Sequence, residues 1–116
     1  MNDTGWIDLP TLDARFGGRR PLILKLMTVF VSTYDGFAEK IGALSQADDS
    51  KPFLMELHSL KGAAASLGSE RLRVRVAELE TSVREGQHPP GVVAQEIVSF
   101  WPHVMQNAHH ILTELR

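Results

Sequence analysis

Apolar residues in this chain recur at three- and four-residue steps and nowhere sustain an alternation, so the elements it can bury are helices. Asp8 is placed to cap a short first helix with Pro10 in its opening turn, and Gly17-Gly18 stops it. Pro21 opens a longer segment. Its row Leu22, Leu26, Val29-Phe30, Thr33, Phe37, Ile41 and Leu44 predicts one helix that tolerates Gly36. The polar run Gln46 to Ser50 reads as a turn, with Ser50 as cap before Pro52. A third helix is expected from about Lys51 to Leu67, stopped by Gly68. Ser69 can cap a fourth, carried by Leu72, Val76, Leu79 and Val83 as far as Gly86. After the loop Gly86 to Gly91, the row Val93, Ile97, Phe100, Val104, Ile111 and Leu115 predicts a last helix that Pro102 should kink or split. Long amphipathic helices with short connections predict an all-α fold, an antiparallel four-helix bundle with a short N-terminal helix. One domain over residues 1–116 is expected, with 1–6 as a loose leading segment.

Composition excludes several kinds of function. The formal net charge of −2 does not suit nucleic acid or an anionic membrane as main partner. Arg19-Arg20 and the run Arg71, Arg73, Arg75 are local basic patches. Without cysteine there are no disulfides, thiol chemistry or thiolate metal sites. No apolar stretch approaches the roughly 18 residues of a membrane span, and Met1 to Gly5 has no signal-peptide character. No membrane contact by this chain is expected.

The third helix carries the chemistry. Residues advance about 100° each around a helix. With His58 at zero, Phe53, Leu57, Leu60, Ala64 and Leu67 fall between about 180° and 260°, which makes them the core stripe. Lys51, Leu54, Met55, Lys61, Gly62 and Ala65 lie within about 60° of His58 on the opposite, outward face. That face carries Leu54, Met55, Gly62 and Ala65 rather than a solvated mixture, so it is a candidate docking surface. Gly62 costs about 1 kcal/mol against alanine within a helix, which suggests that something must approach closely. Lys61, one turn from His58, can help neutralise an anion on the imidazole. A phosphoryl group suits this arrangement, because neutral imidazole is a good nucleophile near pH 7 and phosphoryl transfer asks mainly for positioning and charge stabilisation.

His58-Ser59-Leu60-Lys61-Gly62, Leu67-Gly68, Leu72 and Leu79-Glu80, with Phe16-Gly17-Gly18 and Phe30 upstream, resemble the pattern of histidine-containing phosphotransfer (HPt) domains from about Leu9 to Leu115. The resemblance implies a four-helix bundle whose exposed histidine passes a phosphoryl group between receiver-domain aspartates through Nε2. By position it makes His58 the phospho-acceptor and Lys61 its electrostatic support. Gly62 gives clearance, Gly68 closes the helix, and Glu80 orients the imidazole through its other nitrogen. Leu54, Met55, Gly62, Ala65 and Ser66 would meet the partner; Ala65 and Ser66 are smaller than some relatives carry. The implied partners are receiver domains of response regulators or hybrid histidine kinases, met by a cytoplasmic monomer. The chain would be a phosphoryl carrier, not an enzyme, binding no cofactor or metal itself. Mg²⁺ is expected on the partner receiver.

Other readings are open to the same residues. Chemotaxis-type kinases carry a similar domain phosphorylated by an ATP-binding domain; Leu79-Glu80 and the compact length favour the receiver-coupled type. The dimerisation domain of a histidine kinase would have an acid and then a proline after its histidine, where this chain has Ser59-Leu60-Lys61-Gly62. A helical interaction module without phosphorylation would use the Leu54, Met55 and Ala65 surface alone. Gly62 to Gly68 is spaced like part of a phosphate loop, but no Gly-Lys-Ser/Thr follows it and no strand precedes it. His103, His109 and His110 lack metal-ligand spacing and read as surface groups. Glu80 can also be read as a plain surface acid on an Arg-rich helix, Asp48-Asp49 as a solvated turn, and Trp6 and Trp101 as packing residues.

Overall fold

The computed structural model describes residues 5–116, and among these it contains six helices and no strand. Residues 1–4 of the expected loose segment lie outside the described residues. Of the other two residues of that segment, Gly5 is exposed and Trp6 is buried, against the expectation of a loose lead. Asp8 caps α1 (Leu9–Arg15), its carboxylate accepting from the Thr11 amide at 2.8 Å. Asp13 then grips Arg20 through two 2.9 Å bonds, which ties α1 to the start of α2 (Arg20–Thr33).

The predicted helix from Pro21 to Leu44 is two helices. Gly36 adopts a left-handed φ of +73°, which residues other than glycine rarely tolerate, and α3 (Phe37–Leu44) restarts after it. The expected row on α2 is also displaced by one position. Ile23, Met27, Phe30 and Tyr34 are buried, whereas Leu22 and Leu26 are half-buried, and Val29 and Thr33 are exposed. Two apolar rows run side by side along this helix, and packing selects the second. The break re-phases the chain, so that Phe37 and Ile41 return to the core as expected.

α4 (Lys51–Ser66) follows the expected stripe, with Phe53, Leu57, Leu60 and Ala64 fully buried. Ser50 stands at its N-terminus without capping it; Asp49 accepts from the Lys51 amide at 3.0 Å instead. Gly68, at φ +70°, turns the chain into α5 (Glu70–Arg84). Ser69 does not cap that helix either. Its hydroxyl, buried, donates to the Trp6 carbonyl.

α6 (Pro90–Leu115) is a single helix of 26 residues that continues through Pro102 rather than splitting there. Pro102 and Val98, whose carbonyl the missing N–H would have met, both lie on its exposed side, where water can satisfy the carbonyl. α4 packs chiefly on α5, α2 and α3 pack on α6, and α3 also meets α4. Trp101 of α6 is the hub of an aromatic group with Phe30, Tyr34 and Phe37, at centroid distances of 4.7 to 6.4 Å. Among the described residues no helix is long and apolar enough to cross a membrane.

Candidate functional site

Because the stripe that begins at Phe53 faces the core, residues half a turn away must face out, and the His58 side chain is 67% exposed. What lies beneath the ring comes from α5. The row Leu72, Val76 and Leu79 is buried against the core, and the same face carries Glu80 inward, only 1% exposed. Burial therefore excludes the reading of Glu80 as a plain surface acid.

A carboxylate out of water needs partners. Lys61 Nζ lies 2.8 Å from Oε1, Arg84 Nη2 lies 2.7 Å from Oε2, and His58 Nδ1 stands 3.3 Å from the same Oε2. Oε2 nevertheless accepts no hydrogen bond of good geometry; its contacts are ionic. Burial pushes the Glu80 carboxyl up. The hydrogen bond and charge of Lys61, with the charges of Arg84 and His58, outweigh it and hold the group below the usual carboxylate range. One buried anion from α5 thus gathers a histidine and a lysine from α4 and an arginine from its own helix.

Nδ1 is thus the ring nitrogen that faces the carboxylate. With Nδ1 turned to the carboxylate, Nε2 lies on the other edge of a ring mostly in solvent. A groove of about 630 Å³ adjoins His58, lined also by Asp49, Ser50, Lys51, Leu54, Met55, Ser59 and Arg84. Met55 is 62% exposed and Leu54 is half-buried. A Cβ added at Gly62 would meet nothing within 4 Å, so nothing in this chain's own packing requires glycine there. Ala65 and Ser66 lie further along the same helix, beside α1. Ala65 lines a second, separate groove with Arg15, and the Ser66 carbonyl accepts from Arg15 Nε at 2.8 Å. Gly68 is confined on two counts: its φ of +70°, and Thr11 Cγ2 and Arg15 Cδ standing 3.0 and 3.3 Å from where a Cβ would sit.

The structure therefore brings His58, Lys61, Glu80, Leu54 and Met55 together and sets Ala65 and Ser66 apart toward α1. It adds Arg84, which the sequence reading passed over. The signal was present, since Arg84 follows Glu80 by four residues and so stands over it on the same helix face. His103, His109 and His110 are exposed on α6, where His110 pairs with Glu114 at 3.3 Å. Among the described residues no group of three or more His, Asp or Glu side chains could hold a metal ion.

The family model of the Hpt domain matches residues 25–115, a span that takes in the whole site and leaves Trp6 and α1 outside. No curated protein and no solved structure matches the chain.

Proposed function

Since the chain belongs to the Hpt domain family, whose members carry phosphoryl groups in two-component signalling and interact with receiver domains, we propose that it relays a phosphoryl group between receiver aspartates through His58. One observation carries the reading: an exposed imidazole is backed at Nδ1 by a buried carboxylate and flanked by an ammonium bound to that same carboxylate.

The chemistry follows from that arrangement. Glu80 favours the tautomer with the proton on Nδ1, which leaves the Nε2 lone pair free in the neutral ring. Nε2 attacks the phosphorus of a receiver's aspartyl phosphate. The N–P bond forms, the P–O bond to the aspartyl carbonyl carbon's oxygen breaks, and the carboxylate departs with the electron pair. The ring acquires positive charge, and its Nδ1–H is stabilised by Glu80, closing the 3.3 Å gap. Lys61 neutralises charge on the phosphoryl oxygens. Transfer to a second receiver is the reverse of these steps.

In this reading residues 1–116 form one domain, α2 with α3, α4, α5 and α6 make up an antiparallel four-helix bundle, and the chain acts as a cytoplasmic monomer. Leu54, Met55 and Gly62 form the near part of the docking face, and Ala65 and Ser66 its far part. The chain contributes the nucleophile and no cofactor, and Mg²⁺ sits on the receiver. The test is to mix the chain with a phosphorylated receiver and follow the label. Acid-labile, alkali-stable phosphate is expected on this chain and should vanish in His58→Gln. Transfer that survives the substitution would overturn the proposal.

A further inference from the structure

One turn before His58, α4 presents a sulfur to solvent. Met55 is 62% exposed, more than any other exposed large apolar side chain among the described residues, and it lines the groove that adjoins His58. The other two methionines among the described residues are protected. Met27 is fully buried in the core, and Met105 is half-buried against it. The chain has no cysteine, so no thiol of its own competes for an oxidant.

Exposure of this kind selects Met55 for reaction with a hydroperoxide. Sδ attacks one peroxide oxygen. The S–O bond forms and the O–O bond breaks, and the departing oxygen takes a proton and leaves as water or an alcohol. Sulfur gives up an electron pair and the peroxide is reduced. The product is a sulfoxide, a polar group where a flexible apolar one stood. A partner that packs apolar surface on Leu54 and Met55 must then strip water from the new oxygen without offering it a donor, which opposes binding. The contacts of Glu80 with His58 and Lys61 do not include Met55, so the chemistry at the imidazole is left intact.

We propose that Met55 is a redox-sensitive modification site: oxidation to the sulfoxide by a hydroperoxide weakens receiver docking and slows the relay ahead of the histidine chemistry. A thiol-dependent sulfoxide reductase reverses the change, the oxygen leaving as water while two thiols become a disulfide. The proposal rests on His58 being the acceptor and on Leu54 and Met55 belonging to the docking face.

The test treats the full chain with hydrogen peroxide, removes the peroxide with catalase, and only then adds a phosphorylated receiver. Peptide mass spectrometry should find the added oxygen on Met55 well before Met27 or Met105. Transfer to the oxidised chain should be about tenfold slower, the scale of one polar group buried without a partner. Incubation with the two epimer-specific sulfoxide reductases should restore the rate. Phosphoramidate needs no docked partner: Nε2 bonds to phosphorus, the donor's P–N bond breaks, and ammonia leaves with the pair and a proton. Its labelling of the oxidised chain should match the untreated rate. Met55→Leu keeps an apolar side chain without sulfur, so its transfer rate should be the same before and after treatment. The inference fails if Met55 is not oxidised ahead of Met27 and Met105, or if the chain oxidised at Met55 transfers at its untreated rate. It fails equally if treatment slows Met55→Leu as much as the parent, or slows phosphoramidate labelling as much as transfer. In all of these cases the untreated chain is still labelled at His58 and the acceptor reading stands. If the untreated chain takes no label at His58, the acceptor reading fails and the inference with it.

Discussion

Glu80 is costly to bury and is retained by three partners, so its removal should be felt in stability and chemistry together. Glu80→Gln keeps the shape but leaves Lys61 and Arg84 facing each other without an anion between them. A loss of about 1 to 2 kcal/mol is expected at neutral pH, because both cations can still reach water. The loss should depend on pH in a definite direction. The folded-state carboxyl is held below its ordinary value, so ionised Glu80 stabilises the fold fully above its unfolded pKa of about 4.3 and loses that effect as pH falls through the lower folded value. Urea titrations of parent and Glu80→Gln should therefore differ by a constant amount near neutrality and converge in acid. A gap that widens on acidification would contradict the arrangement. At the same scale, Lys61→Ala should slow phosphoryl transfer about tenfold while costing little stability, since Lys61 is 30% exposed and Arg84 still holds Glu80. Single-turnover transfer from a phosphorylated receiver, paired with a thermal melt, measures both effects.

At the scale of the helix, α4 and its exit contain two glycines whose replacement should have opposite effects. Gly62 sits mid-helix with empty space where its Cβ would be. Gly62→Ala should stabilise the fold by up to about 1 kcal/mol and slow transfer from a receiver, because the added methyl stands on the proposed docking face. Gly68→Ala should destabilise by about 1 to 2 kcal/mol, because φ +70° is strained for alanine and Thr11 Cγ2 stands 3.0 Å from the new carbon. Denaturant titration reads both signs, and a stabilising Gly68→Ala would refute the second. The two helices at the site differ from α2 in how plainly their sequences show their inward face. On α4 Phe53, Leu57, Leu60 and Ala64 form one continuous row with His58 opposite it, and although Leu54 and Met55 share the outward face, the row alone is enough to place His58 outward. On α2 Leu22 adjoins Ile23 and Leu26 adjoins Met27, and periodicity cannot choose between neighbouring rows that packing then separates. By propensity one glycine is inexpensive, so the sequence predicts that the helix tolerates Gly36. Its left-handed φ depends on how the chain turns between α2 and α3, which no local pattern records. Ser50 and Ser69 were sensible caps by residue type, yet Asp49 takes one role and tertiary contact with Trp6 draws away the other serine.

Over the whole molecule, the segment before α1 has the least sequence signal and a dense set of contacts. Trp6 stacks on Phe100 of α6 at 4.7 Å, lies under the Arg71 guanidinium of α5 at 3.9 Å, donates its amide to Asn107 at 3.2 Å and accepts from Ser69. Trp6 and Ile7 are too short a run to show a period; residue type marks Trp6 as a packing residue, as its 6% exposure bears out, but no pattern says what it packs against. These contacts join the start of α5 to the middle of α6, and Ser69 follows directly on the Gly68 turn that ends the histidine helix. The segment thus braces the frame on which Glu80 and His58 are carried, without touching either. Trp6→Ala should cost about 3 kcal/mol, the usual scale for removing a buried large aromatic. Trp6→Phe, which retains the stack, should cost clearly less. Because the site itself is untouched, both variants should accept label on His58 at the parent rate at a temperature well below their melting points. A melting temperature unchanged in Trp6→Ala would show that the segment is not a brace. Slow labelling in a fully folded Trp6→Ala would show that it reaches the site directly.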